Sequence, residues 1–143
     1  MKKLFLISLL CFSFLWMGCM QDIVNDPKQV EYLAKVNAFP LEFEVSKDIA
    51  TDAWGRAQSF IGRFSSMKLQ SATDYMIQTY NPTDNGVNYG YNITKTPLKD
   101  TVQITVQCSS NNMFAGGDAT KNAHILAYYI SSGELPYPNL IAK

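Results

Sequence analysis

Four side chains in this sequence have the types and spacing that chemistry requires. Glu42 and Glu44 stand two residues apart in an alternating segment, so both project from one face of a strand, where paired carboxylates can serve as general acid and base. Cys108 and the single histidine, His124, are the components of a nucleophile–base pair. An enzymatic role that uses Cys108 or the Glu42/Glu44 pair is therefore one hypothesis.

The same residues also have structural explanations. Cys108 lies in phase with an alternating apolar strand, where a lone cysteine packs as a small hydrophobe. His124 stands between Ala123 and Ile125 in a predicted helix, which indicates a histidine at the helix edge. Glu42 and Glu44 have no visible third partner and suit the solvation of an exposed sheet face. These explanations favour a domain without catalytic residues.

Three further patterns suggest binding or modification of the protein. Gly116–Asp118 precedes a predicted helix and could present backbone N–H groups to an anion, but it lacks the Lys-Ser/Thr of a phosphate loop, so we expect a loop with Asp118 as the N-cap. Asn92-Ile93-Thr94 matches a glycosylation sequon, which we expect to be incidental. Tyrosines, which are favoured both at binding surfaces and in strands, are enriched at positions 75, 80, 89, 91, 128, 129 and 137.

Composition excludes several classes of function. The 143 residues suit one domain, and the 12 basic and 12 acidic residues balance. No Lys/Arg block follows residue 3, so neither nucleic-acid binding nor electrostatic binding to anionic lipid is expected. After residue 19 the sequence has one histidine, His124, and one cysteine, Cys108, which are too few for a Cys/His zinc site of the usual kind, and we expect no metal or cofactor.

The periodicity of apolar residues predicts the elements that position these side chains. Leu41 to Val45 alternates as a strand, and a helix follows with Ser46 as its N-cap. The apolar stripe of that helix comprises Ile49, Ala50, Ala53, Trp54, Ala57, Phe60, Ile61 and Phe64. Arg56 and Arg63 fall on its wet side, and Gly55 and Gly62 would permit close packing on a sheet.

Strands dominate the second half of the chain. Residues 67–80 form a strand with a bend near 71–73, a turn-rich segment (81–86) predicts a hairpin, and two clearly alternating strands cover 87–93 and 102–108. A second helix runs from Asp118 to Ile130, with Gly133 at its C-terminus. The order β-α-β-β-β-α predicts an α+β two-layer sandwich with about four mainly antiparallel strands and two helices. It resembles single-repeat TATA-binding-protein-like domains, by fold analogy alone.

The N-terminus has the pattern of a targeting segment. Lys2 and Lys3 precede a 15-residue apolar run, Leu4 to Gly18, which is short for a spanning helix of about 20 residues but suits a signal peptide. Cleavage after Gly18 by an ordinary signal peptidase would place bulky Trp16 where a small residue is required.

Trp16-Met17-Gly18-Cys19 resembles the cleavage box of a bacterial lipoprotein precursor, which is leucine, a small residue, glycine or alanine, and then cysteine. The leucine stands one place early, at Leu15. The resemblance covers residues 1–19 and implies acylation of Cys19, which anchors stably when two or more chains are attached. It implies a signal peptide (1–18). The polar, proline-containing composition that follows predicts a tether (19–38), and the strand and helix patterns predict one α+β domain (39–143).

The sequence therefore predicts a lipid-anchored protein of the bacterial cell envelope, in the outer membrane ahead of the inner membrane. Its partners would be the membrane, through acyl chains on Cys19, and an envelope protein. With Cys11 removed and Cys19 acylated, Cys108 is the only thiol left, so no intramolecular disulfide is expected. The domain would serve binding or assembly without catalysis.

Overall fold

The computed structural model describes residues 26–83 and 86–143. The chain divides into two compact units, residues 1–30 and 31–143, and the account below concerns the second unit except for the first turn of one helix. The predicted signal peptide and the acylation position Cys19 lie outside the described residues.

The described elements run in the order helix, strand, helix, four strands, helix. They are α1 (Pro27–Ala38), β1 (Glu42–Ser46), α2 (Ala50–Phe64), β2 (Leu69–Ala72), β3 (Met76–Thr79), β4 (Gly90–Pro97), β5 (Thr101–Ser109), α3 (Gly116–Ser132) and a short 3₁₀ turn (Pro138–Leu140).

Helix α1 begins with a side-chain cap. The Asp26 carboxylate accepts a hydrogen bond of 3.1 Å from the backbone N–H of Lys28, which satisfies one of the free N–H groups at the helix start. Tyr32 and Val36, one turn apart, are buried. The helix therefore occupies the second half of segment 19–38, the predicted tether.

The strands form one antiparallel sheet in the order β1-β5-β4-β3-β2. Its register aligns apolar residues across the strands, with Ile77 opposite Ile93 and Ile93 opposite Val106. The α+β class with an antiparallel sheet is thus confirmed. The predicted numbers, about four strands and two helices, were too low, because the described residues form five strands and three α-helices.

The additional strand comes from segment 67–80, which was predicted as one bent strand and is a hairpin. Thr73 makes the turn: its hydroxyl accepts the N–H groups of Tyr75 and Met76 at 3.2 and 3.0 Å, and its own N–H donates to the Met76 carbonyl at 2.8 Å. The buried Trp54 holds this turn, since its indole N–H donates to the Thr73 carbonyl at 3.2 Å. A threonine turn carries no glycine or proline signal, which explains the error.

The predicted helix starts were also wrong. Ser46 ends β1, and Ile49, without a side-chain cap, occupies the N-cap position of α2. Asp118 lies in the first turn of α3 and pairs with Lys121 at 2.7 Å, while Ala115 takes the cap position. In both cases the preceding turn sets the start of the helix. At the other end of α3, Gly133 has the predicted left-handed conformation (φ 79°).

Arg56 is not on a wet helix face, as the stripe had predicted. It is partly buried, and its guanidinium donates to the Ile130 carbonyl from Nε at 2.8 Å and from Nη2 at 2.6 Å. Since Ile130 lies in the last turn of α3, Arg56 satisfies a C-terminal carbonyl there. The side chain joins α2 to α3.

The core lies between the helices and one face of the sheet. Its buried side chains come from all three helices, from β1, β3, β4 and β5 and from the tail, and include Val36, Phe60, Ile77, Ile93, Ile104, Val106, Leu126, Ile130 and Ile141. The strand residues that alternate with them point to the opposite face, where most are polar. This opposite face is called the open face below.

Candidate binding site on the open face

The two predicted carboxylates lie on the open face and are already bonded to their neighbours. Glu44 accepts a hydrogen bond from the Thr101 hydroxyl at 2.6 Å. Glu42 accepts hydrogen bonds from the Gln103 amide at 3.0 Å and the Thr105 hydroxyl at 3.3 Å. These contacts join the edge strand β1 to its neighbour β5, and both carboxylates are engaged in them. The arrangement is that of a hydrogen-bonded strand edge.

Cys108 and His124 have different partners. Cys108 is half-buried on the core side of β5, opposite Tyr91, whose hydroxyl lies within hydrogen-bonding reach of the sulfur. Burial raises the pKa of the Cys108 thiol to about 12, although the Tyr91 contact acts in the other direction. The His124 ring bonds instead to the Phe39 carbonyl through Nδ1 at 2.9 Å. A thiol with so high a pKa is a poor nucleophile at neutral pH.

The loop before α3 shows no anion site. A β-carbon added at Gly116 or Gly117 would meet no atom within 4 Å, so close approach of another group does not explain these glycines. Asp118 in the first turn places a carboxylate where an anion would lie. Within residues 26–83 and 86–143, no group of three His, Cys, Asp or Glu side chains is placed to hold a metal ion.

Most of the tyrosines belong to the core and its rim rather than to a surface patch. Tyr89 and Tyr91 are almost fully buried, and Tyr128, Tyr129 and Tyr137 are partly buried. Only Tyr75 and Tyr80 of the seven are exposed. Tyr128 and Tyr137 both pack on Tyr32, with ring centroids 5.8 and 5.5 Å apart. The sequence enrichment therefore reflects packing.

A row of amide side chains crosses the open face. Gln78 on β3 is paired with Asn92 on β4, which in turn is paired with Gln107 on β5. Their neighbours in sequence, Ile77 and Ile93, point into the core, so the three amides share the opposite face. The sequence alone had marked only Asn92, as part of a sequon. The row depends on the strand register, which alternation does not reveal.

The amide row lines a depression of about 210 Å³ at the end of the sheet where β4 begins and β5 ends. Its lining residues are Gln78, Asn81, Gly90, Tyr91, Asn92, Gln107 and Ser109. None of them is charged. The amide oxygen of Asn92 is buried here and has no hydrogen-bond partner among the described residues. An unmet buried acceptor favours a ligand that donates a hydrogen bond.

Gly90 shapes one wall of this depression. A β-carbon at Gly90 would lie 2.9 Å from the Pro82 ring and 3.2 Å from the Tyr80 carbonyl. Only glycine therefore allows the segment after β3 to fold back against the start of β4, which brings Asn81 to the rim of the depression.

Neither a family model, nor a curated protein, nor a solved structure matches this chain. None of the helices in residues 26–83 and 86–143 has the length and apolar character needed to cross a membrane. The geometry of the open face is therefore the main structural basis for a function.

Proposed function

We propose that this chain is a lipid-anchored protein of the bacterial cell envelope whose domain binds an uncharged ligand on the open face of its sheet. The anchor part of the proposal rests on the lipoprotein-like sequence around Cys19, and the outer membrane is proposed ahead of the inner membrane. The binding part rests on the amide-lined depression. The domain acts without catalysis, in binding or assembly, and an envelope protein that carries the ligand is a possible partner.

The single observation that carries the binding proposal is the uncharged row of amides along the depression, within which the Asn92 oxygen has no partner among the described residues. Each amide offers both donors and an acceptor, which match the mixed donor and acceptor character of hydroxyl groups. A charged ligand would find no counter-charge among the described residues of the lining, and burying an unpaired charge is costly. Hydroxyl-rich neutral ligands, saccharides above all, fit this chemistry.

The structure offers no specific support for the enzymatic alternative. The Cys108 thiol is protonated at neutral pH because burial raises its pKa, and the carboxylates of Glu42 and Glu44 are engaged by threonine and glutamine side chains. These observations favour the binding role.

The fold analogy to single-repeat TATA-binding-protein-like domains belongs to the proposal as well. A strand and helix followed by an antiparallel meander and a closing helix support it. An experimental structure, superposed on domains of that class, tests it. The analogy implies nothing about the ligand.

The anchor is tested by metabolic labelling with a palmitate analogue. Cys19→Ser should abolish labelling and leave the precursor unprocessed. Cys11→Ser is the matched control, since Cys11 lies within the predicted signal peptide and should leave labelling unchanged. Equal labelling of Cys19→Ser and the unaltered protein would refute acylation at this position.

The ligand surface is tested by titrating the protein with neutral oligosaccharides prepared from the envelope. The double variant Gln78→Ala/Gln107→Ala should weaken binding by about tenfold or more, since each hydrogen bond contributes about 0.5–1.5 kcal/mol. Gln103→Ala is the matched control, because Gln103 is bonded to Glu42 outside the depression. Equal weakening by the control, or unchanged binding by the double variant, would reject the amide row as the ligand site.

A further inference from the structure

Met113 and Phe114 are the two most exposed of the large apolar side chains in the described residues. They are 86% and 90% exposed, whereas the other exposed large hydrophobic residues range from 38% to 59%. They are adjacent in the loop between β5 and α3. Two neighbouring apolar side chains so completely in water mark a surface that another apolar phase covers.

The loop holds these side chains outward through contacts on both sides. The Phe114 N–H donates to the Asn112 side-chain oxygen at 2.9 Å, and the Ala115 N–H donates to the Asn112 carbonyl at 3.0 Å. Ala115 itself is 4% exposed, so the loop is fixed to the core directly after the exposed pair.

The charge distribution shows which kind of surface the loop suits. Residues 109–117 contain no charged side chain. The turns at the opposite end of the sheet, residues 46–49, 73–75 and 98–100, contain five: Lys47, Asp48, Asp74, Lys99 and Asp100. The loop itself is therefore compatible with an apolar medium, where burying a charge is costly, whereas the three turns at the other end of the sheet are not.

Two further apolar side chains accompany the loop at its end of the sheet. Val87 precedes β4, whose first residue pairs with the last residue of β5, and Tyr80 follows β3 at the same end. Both are about half exposed, at 50% and 51%.

We infer that the Met113–Phe114 loop inserts into the interface of a phospholipid bilayer and orients the domain on the membrane to which it is tethered. This inference rests on the proposed acyl anchor, because the chain between Cys19 and Glu31 spans at most about 40 Å when fully extended and keeps the domain near the lipid. An uncharged loop with a methionine and a phenylalanine at its tip suits the boundary between headgroups and acyl chains. The loop supplements the anchor, since so few side chains bind a membrane only weakly by themselves.

Depth-dependent quenching by brominated phosphatidylcholine tests the inference. The full chain is reconstituted into vesicles with Phe114→Trp, and the emission of the parent protein is subtracted. The emission added by the new tryptophan should shift to shorter wavelength and be lost when the acyl chains are brominated. The unprocessed chain is used, and its largely apolar residues 4–18 attach it to the vesicle without acylation, so failure of the anchor proposal would appear in the palmitate labelling and leave this measurement intact.

Leu98→Trp is the matched control, since Leu98 is an exposed apolar residue in a turn at the charged end of the sheet. Its added emission should be the same with brominated and unbrominated lipid. Equal quenching of the two variants, or no quenching of Phe114→Trp, would overturn the inference. Both positions are exposed, so equal melting temperatures of both variants and the parent confirm that folding is intact.

Discussion

The environment of Cys108 makes it the least reactive kind of cysteine. Its side chain faces the core from β5, and burial raises the pKa of the thiol to about 12 from an ordinary value of 9.0. At pH 8 the thiolate is then about a thousandfold scarcer than in an unburied cysteine. Strand phase predicted the position of the thiol, whereas its contact with Tyr91 depends on the pairing of β4 with β5.

We therefore expect Cys108 to resist thiol reagents in the folded protein and to react at an ordinary rate after unfolding. The measurement is the labelling rate by mass spectrometry at pH 8, with Cys108→Ala as the control for background labelling. Folded-state labelling as fast as that in denaturant would show that the thiol is accessible and ionises like an unburied cysteine, and would restore the nucleophile hypothesis.

At the scale of residues, the sequence predicted which side chains are buried better than it predicted their hydrogen-bond partners. Alternation placed Ile93, Ile104 and Val106 in the core, and the apolar stripe placed Trp54 there. It did not predict that Arg56 bonds to the end of α3, since Arg56 and Ile130 are 74 residues apart in the chain. Contacts of this kind follow from the tertiary structure, and no local pattern reports them.

At the scale of elements, the side chain of Arg56 joins α2 to α3. Arg56→Ala should lower the free energy of unfolding by about 1.5–3 kcal/mol, because the carbonyl of Ile130 loses a charged donor. Arg63→Ala is the matched control on the same helix: it is exposed and lies over the Phe64 ring at 5.0 Å, a contact worth at most about 1 kcal/mol. Urea denaturation measures both, and equal losses would show that the bond contributes no net stability.

Gly55 and Gly90 should respond in opposite ways to replacement by alanine, because Gly55 lies at an open helix position and Gly90 in a close contact. Gly55 was expected to permit close approach of α2 to the sheet, but a β-carbon there would meet no atom within 4 Å. Gly55→Ala should therefore stabilise the protein by about 0.5–1 kcal/mol, as in any exposed helix interior. Gly90→Ala should destabilise it, since its β-carbon would meet the Tyr80 carbonyl at 3.2 Å and Pro82 at 2.9 Å. Thermal melting of the two variants gives the signs, and stabilisation by Gly90→Ala would contradict the close approach.

The elements that the sequence predicted well are those whose signal is local. β4 and β5 alternate over eight and nine residues, and both were found. The hairpin of β2 and β3 was missed because each strand has four residues and Thr73 makes the turn through its hydroxyl. The amide row of the candidate site was missed for a different reason: it comes from three strands, and only their register places the amides side by side.

For the whole molecule, buried acidic groups make stability depend on alkaline pH. Burial raises the pKa of Tyr32 and of Cys108 to about 12 each, and it raises that of Tyr91 as well. Above about pH 9 the unfolded chain loses protons that the folded chain keeps, so the free energy of unfolding falls as the pH rises toward 12. Below about pH 8 these groups are almost entirely neutral in both states and contribute almost no slope.

We accordingly expect the melting temperature to be flat between about pH 7 and 8, as far as these groups determine it, and to fall steadily above pH 9. Cys108→Ala should reduce the fall, because one of the three groups is removed. Calorimetry across this range checks both points. A melting temperature that rose above pH 9 would show that these groups ionise more easily in the folded state.

Pairing of the first strand with the last, in chain order, determines when this sheet can be completed. Glu44 and Thr101, bonded across that pair, are 57 residues apart, whereas β2 to β5 form a meander of local contacts. Long-range pairs form late because closing a long loop costs entropy before any contact is gained. A chain delivered from its N-terminus, by a ribosome or through a membrane pore, must therefore hold β1 unpaired until Thr105 has emerged. The sheet of this domain can therefore be completed only after its last strand is available.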